Sequence, residues 1–358
     1  MPSSNTEWSR KLVFKKLKSV NNPRSIHGIY PYRGKISAID ARQIIRQLPH
    51  RGTLLDPFCG SGTITFEARE WGINAIGIDN NPIAVALAKA KLEKNDLATL
   101  KSHAMELIQK AKALQSAPKM PHAPARYFHP ETSDQIMRLA QFTNEMCYYE
   151  LGCFYGAICL AARGCNHYIW SSTNIGKIFN PHLKIDFYIK FYDKIVKHYT
   201  PSSSQAHGQI CQHDSRRLSE IIPQNSIDYV FTSPPYFDAL DYTSYYTRLV
   251  YEIMGQDRSE IRKRLIQRVK SYEEDMKQVL GELDKVTNDS AIIIFVVGDK
   301  KIGNKLINGG EFFTKISKYE PTYVAEREYT GTASKIWDSI NKTWRKEQIV
   351  VWDKLMNE

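Results

Sequence analysis

The chain has 358 residues, 42% of them hydrophobic, enough for about two domains with a buried core. Its 49 lysines and arginines against 38 acidic residues give a formal charge of +11, which favours a polyanionic partner, nucleic acid first. The longest apolar run, Leu151 to Ala162, falls well short of the roughly 20 residues that span a bilayer, and Met1 to Arg24 holds no signal-peptide core, so no membrane partner and a cytoplasmic location are expected.

A basic arm, Ser9 to Arg24, leads into Ile26 to Lys35, a loop rich in glycine, proline and aromatic residues. Ala38 to Gln47 reads as a helix and Thr53 to Asp56 as a strand. Thr63 to Trp71 then reads as a helix stopped by Gly72. A second strand over Asn74 to Ile78 ends at Asp79, and Pro82 opens a helix that runs to Leu92. This alternation is the mark of an α/β fold with a doubly wound parallel sheet.

From Asn95 to about His207 the pattern becomes mainly helical, with a proline-rich joint at Ala117 to Pro124 and helices around Cys147 to Arg163 and Ile185 to His198. Strands resume at Ser226 to Thr232, Ala291 to Val297 and Glu347 to Trp352. The expected organisation is therefore one sheet with a helical insertion: 1–95 as the N-terminal arm and cofactor-binding half, 96–206 as the insertion and a candidate DNA-recognition part, and 207–358 as the catalytic half. Cys147, Cys153, Cys159 and Cys165 recur every six residues, but on a helix each step of six turns by about 240° and points successive thiols to different faces. Reduced, buried thiols are expected and no metal.

Between the first strand and its helix lies Asp56-Pro57-Phe58-Cys59-Gly60-Ser61-Gly62-Thr63. Glycines at this point of an open α/β sheet let backbone approach a ligand, although a plain tight turn would use them as well. A dinucleotide fingerprint fails, because Ile64 and Thr65 stand where its third glycine is needed. Asp79, about 20 residues on at the end of the next strand, is placed either to accept ribose hydroxyls or to cap the following helix.

The segment resembles the Phe-x-Gly-x-Gly motif of DNA amino-methyltransferases, which implies a Rossmann-like class I methyltransferase sheet. The resemblance places Phe58, Gly60 and Gly62 around S-adenosyl-L-methionine, with Asp56 near its amino group and Asp79 on the ribose. His27 to Lys35 is similar to the loop that closes over the methionine end, with Tyr32 and Lys35 as its contacts. The segment from His213 to Arg216 implies Asp214 at the adenine amine.

Thr232-Ser233-Pro234-Pro235-Tyr236 follows a strand. Two prolines in succession fix the backbone and end the strand, so the turn is rigid and its carbonyls have set directions. Rigidity suits methylation of an exocyclic amine, a poor nucleophile that attacks only when its lone pair is held towards the methyl. The Ser233 side chain and the Pro234 carbonyl could accept the two amine hydrogens, Pro235 stiffens the turn, and Tyr236 could stack on an extruded base. The bland alternative is a strand terminator followed by a surface tyrosine.

In the methyltransferases that this motif resembles, a leading serine goes most often with cytosine N4 and a leading aspartate with adenine N6. The expected function is therefore N4-cytosine methylation of double-stranded DNA in restriction-modification, beside a cognate restriction endonuclease. Adenine N6 methylation and an RNA base-amine methyltransferase are the alternatives. Arg258 to Lys270 reads as one helical stretch that concentrates basic residues, and Arg258, Arg262, Arg264 and Arg268 are the expected phosphate contacts, against the alternative of a solvated helix face.

Overall fold

The computed structural model describes residues 26–32, 36–162, 184–235, 243, 247–302, 305–328 and 346–356. A seven-stranded sheet contains β1 (Thr53–Asp56), β2 (Asn74–Asp79), β3 (Gly208–Gln212), β4 (Ile227–Thr232), β5 (Thr287–Gly298), β8 (Tyr323–Glu328) and β9 (Lys346–Asp353). Two short strands, β6 (Lys300–Ile302) and β7 (Lys305–Ile307), form a separate antiparallel pair.

The order across the sheet is β3-β2-β1-β4-β5-β9-β8. Strands β3 to β5 run parallel, and β9 runs antiparallel to both β5 and β8. This is the Rossmann-like class I methyltransferase sheet with a mainly helical insertion. The chain works outward from β1 to β3, returns, and works outward the other way through β4 and β5 before β8 takes the edge and β9 inserts between β5 and β8, so the order reverses between β1 and β4. A crevice opens at such a reversal, beyond the carboxyl ends of the two strands.

Central strands are apolar because helices cover both faces; Ala291 to Val297 of β5 is buried without a break. The sheet edges carry a weaker apolar pattern. β8 is half exposed, with Tyr323 and Val324 facing solvent, and its mixed Tyr-Val-Ala-Glu-Arg-Glu sequence is absent from the expected strands. β3, at the other edge, is equally polar and was approached only through the resemblance at His213 to Arg216.

Helix α1 (Ala38–Ile45) precedes β1, α2 (Thr63–Glu70) follows it, and α3 (Pro82–Leu92) follows β2. The insertion supplies α4 (Leu97–Ala113), the single turn α5 (His122–Ala125), α6 (Pro130–Ala140), α7 (Tyr148–Ala161) and α8 (Phe187–His198). These helices share one apolar core with the sheet domain: Leu87 and Ala90 of α3 join Leu107, Tyr149, Phe154, Phe187 and Phe191. Helix α9 (Arg248–Ile253) adds Leu249 and Tyr251 to it.

Gly156 of α7 permits a particular approach, because a Cβ there would lie 1.8 Å from the Ile29 carbonyl oxygen. Lys194 of α8 donates from Nζ to the Gly28 carbonyl at 3.1 Å. The insertion thus forms the wall on which residues 26–32 rest. Cys153 and Cys159 are buried free thiols within α7, and Cys147 caps it; burial pushes the Cys153 thiol up to about 12. Among the described residues no group of His, Cys, Asp and Glu could hold a metal, and Cys165 lies outside them.

Candidate active site

The loop after β1 is built on backbone contacts. Gly60 N–H donates to Asp79 Oδ2 at 2.9 Å, and Cys59 N–H donates to the Ile78 carbonyl at 2.9 Å, so the ends of β1 and β2 are stitched together. Gly62 precedes α2 with φ +71°, and a Cβ there would stand 2.8 Å from Ala88 Cα of α3. Only glycine meets both demands. The Tyr32 ring lies against Gly60, 3.3 Å from where a side chain would begin.

The loop after β4 is tied to the first by one bond: the Thr232 hydroxyl donates to Asp56 Oδ1 at 2.7 Å. The same oxygen accepts the Phe58 N–H at 3.2 Å. Helix α11 (Tyr272–Val286) braces the proline turn, because the Tyr272 hydroxyl donates to the Pro235 carbonyl at 2.5 Å. The Ser215 hydroxyl donates to the Pro57 carbonyl and joins the segment after β3 to the glycine loop.

A cavity open to solvent, with about 620 Å³ of empty space counted out into its mouth, lies at this junction. Of the expected site residues, Tyr32, Phe58, Gly60, Asp79, Asp214, Ser233 and Pro235 line it. Pro234 is buried beside them. Asp56 and Gly62 are not in the wall: Asp56 is 1% exposed beneath the loop, and Gly62 shapes the backbone. Lys35 and Tyr236 lie outside the described residues.

Sequence reasoning missed Asn80, Asn81, Ser215, Leu265 and Ile266 as wall residues. The asparagines carried a signal, standing between a strand-end aspartate and a helix-opening proline.

Electrostatics separates the three carboxyls. Burial pushes Asp56 up to about 7, against the pull of the Thr232 and Phe58 donors. Burial also pushes Asp79 up to about 6, against the backbone N–H groups of Asn81, Gly60 and Asn80. For Asp214 burial acts upward too, but the Arg216 guanidinium and backbone N–H win and hold it below the usual carboxylate range. Arg216 grips Asp214 through Nε at 2.9 Å and Nη2 at 2.6 Å, and reaches Asp275 at 2.8 Å.

The basic segment departs from the expected single helix. α10 (Arg258–Arg264) buries no residue and stops at Leu265, whose ψ of 141° is extended. The cause is apolar: Ile266 is 7% exposed and joins the core of Val230 and Phe295, so the chain must turn inward. Arg264, Leu265 and Ile266 consequently line the cavity, and the Arg264 carbonyl accepts from Asn80 Nδ2 at 3.3 Å. Arg262, Arg264 and Arg268 are exposed and Arg258 is half-buried.

A family description, D12 class N6 adenine-specific DNA methyltransferase, matches residues 39–290. The chain belongs to this family.

The D12 match covers the glycine loop, the insertion, the proline turn and the basic segment. Two type II methyltransferases share shorter stretches. M.MjaII of Methanocaldococcus jannaschii is 35% identical over 115 residues, which is 30% of this chain and 22% of that protein. M.BsoBI of Geobacillus stearothermophilus is 39% identical over 79 residues, 22% of this chain and 15% of that protein. The chain thus matches about a fifth or less of the length of either relative.

Among solved structures, the rRNA methyltransferase aviRa of Streptomyces viridochromogenes is similar with a TM-score of 0.37 and 14% identity, covering 90% of this chain and 87% of that one. A geranyl diphosphate methyltransferase in complex with S-adenosylmethionine has a TM-score of 0.38 and 7% identity, covering 95% and 97%.

S-adenosyl-L-methionine is the cofactor of this D12 chain. The cavity fits it: carboxylates at Asp79 and Asp214 suit the hydrogen-bond donors of a nucleoside, Phe58 with Leu265 and Ile266 offers an apolar slot, and glycine backbone leaves room beside Tyr32. No described helix is long and apolar enough to cross a membrane.

Proposed function

We propose that this chain methylates an exocyclic base amine in double-stranded DNA, with adenine N6 as the first target. The observation that carries the reading is the meeting of Phe58, Gly60 and Asp79 with Ser233 and Pro235 in one cavity, within a chain of the D12 family. The family match moves the weight from cytosine N4, which the leading Ser233 suggested, to adenine N6.

S-adenosyl-L-methionine supplies an electrophilic methyl on a sulfonium when bound. Asp79 would accept from the ribose and Asp214 from the adenine amine, while Phe58, Gly60 and Tyr32 would enclose the nucleoside and Lys35 the methionine end. Asp56 acts at one remove, holding Thr232 and hence the proline turn. Ser233 Oγ and the Pro234 carbonyl accept the two hydrogens of the target amine and so aim its lone pair. The amine gains positive charge as its bond to the methyl forms and the methyl–sulfur bond breaks, S-adenosylhomocysteine being the leaving thioether, and the surplus proton on nitrogen leaves through the Ser233 hydroxyl to water. Tyr236 stacks on the base, which must first leave the duplex. Arg258, Arg262, Arg264 and Arg268 meet phosphates, and the helical region 96–206 carries base reading. A cognate restriction endonuclease is the proposed partner, and the cytoplasm, where thiols stay reduced, the proposed location.

A second reading, cytosine N4, keeps the same mechanism and rests on Ser233 at the head of the motif. Nucleosides from duplex DNA methylated by the purified protein, separated by mass spectrometry, decide between them. N6-methyladenine is expected, N4-methylcytosine would favour the second reading, and methyl transfer to tRNA alone would overturn both.

A further inference from the structure

Asn81 caps α3, and its amide is fully committed on one side only. Oδ1 accepts the Ile83 N–H at 3.0 Å, the Ala84 N–H at 3.3 Å and the Tyr251 hydroxyl at 2.5 Å. Three donors on one atom settle which end of the amide is oxygen, since the reverse assignment would set N–H against N–H.

Nδ2 is left with two hydrogens and no acceptor among the described residues, although Asn81 is only 1% exposed. Buried donors of this kind are rare in folded proteins and call for a partner. Capping does not explain the amide, because Asp and Ser cap helices about as well through an oxygen alone. Asn81 lines the cavity next to Asp79, and its own backbone N–H donates to Asp79 Oδ1 at 2.8 Å.

We infer that Asn81 Nδ2 donates a hydrogen bond to a ribose oxygen of the bound cofactor. A ribose hydroxyl both gives and accepts hydrogen bonds. Asp79 can only accept, when ionised, and the Asn81 amide nitrogen can only donate. Two residues of one turn therefore supply complementary contacts to one sugar. The inference rests on the cofactor assigned to this cavity.

Calorimetric titration of S-adenosylhomocysteine and 5′-methylthioadenosine tests it, because the second ligand keeps the ribose and lacks the amino-acid portion. Asn81→Asp keeps the shape and the capping oxygen, and Asn81→Ser keeps a capping oxygen without adding charge. Both variants should bind both ligands about tenfold more weakly than wild type, with ligand-free melting temperatures close to its own.

Unchanged affinity in Asn81→Ser would overturn the inference, and a penalty in Asn81→Asp alone would then trace to repulsion by Asp79. A penalty with S-adenosylhomocysteine that vanishes with 5′-methylthioadenosine would overturn the ribose assignment. Wild-type protein that binds neither ligand would remove the cofactor reading, and the inference with it.

Discussion

The hydroxyl of Thr232 and the carboxyl of Asp56 join two loops that are far apart in the chain. With that bond in place, movement of the glycine loop is felt at Ser233, one residue beyond Thr232. Thr232→Val removes the hydroxyl and keeps the β-branched shape that β4 requires. Loss of a buried hydrogen bond on this scale should slow single-turnover methyl transfer about tenfold while leaving cofactor affinity near wild type. Equal losses in affinity and rate would mean that Asp56 serves the cofactor directly. The resemblance sets Asp56 near the cofactor's amino group, and in the structure its carboxyl is buried beneath the glycine loop. Phe58, Gly60, Asp79, Asp214 and Ser233 were legible in the sequence because a motif is a local pattern. The orphan donor of Asn81 was not, because an unmatched hydrogen is a property of packing and leaves no trace in residue order.

Among the elements, the basic segment shows most plainly how composition misleads. Six basic residues in thirteen read as one helical stretch to Lys270, yet Ile266 has an apolar place to fill and α10 ends at Arg264. The arginines are thereby split between an exposed helix and the rim of the cavity. Replacing Arg262, Arg264 and Arg268 with Ala should weaken DNA binding about equally across sequences and reduce the slope of log affinity against log salt by about 0.9 for each phosphate no longer neutralised. An unchanged slope would leave these residues as a solvated face. Helix and strand boundaries near the centre of the sheet followed from capping and periodicity, as at Pro82 and Gly72. The edge strands β3 and β8 did not, because a strand with one partner is free to be polar.

For the whole molecule, the buried carboxyls set a dependence of stability on pH that runs opposite to that of ordinary paired acids. Asp56 titrates near 7 and Asp79 near 6 in the folded chain, against about 3.9 when unfolded. Folding therefore favours their protonated forms. The stability they contribute is complete below about pH 4 and is lost progressively as the pH rises from there through about 6 to 7. Each group gives up about 1.4 kcal/mol for every pH unit between its unfolded and folded values. Asp56→Asn cannot ionise and still accepts from Thr232. Melting curves of the ligand-free proteins between about pH 5 and 8 should show wild type losing ground to the variant as the pH rises. Parallel curves would mean that Asp56 stays ionised throughout.

With base reading proposed for the helical region, Gly156 imposes a condition on any attempt to exchange that region by grafting. The helical region looks like a cassette because it occupies one continuous stretch, but Ile29 rests its carbonyl where any other side chain at 156 would begin. A transplanted region that lacked glycine there would push residues 26–32 away and carry Tyr32 off the glycine loop. Its recipient would lose its hold on the methyl donor before it read any new sequence.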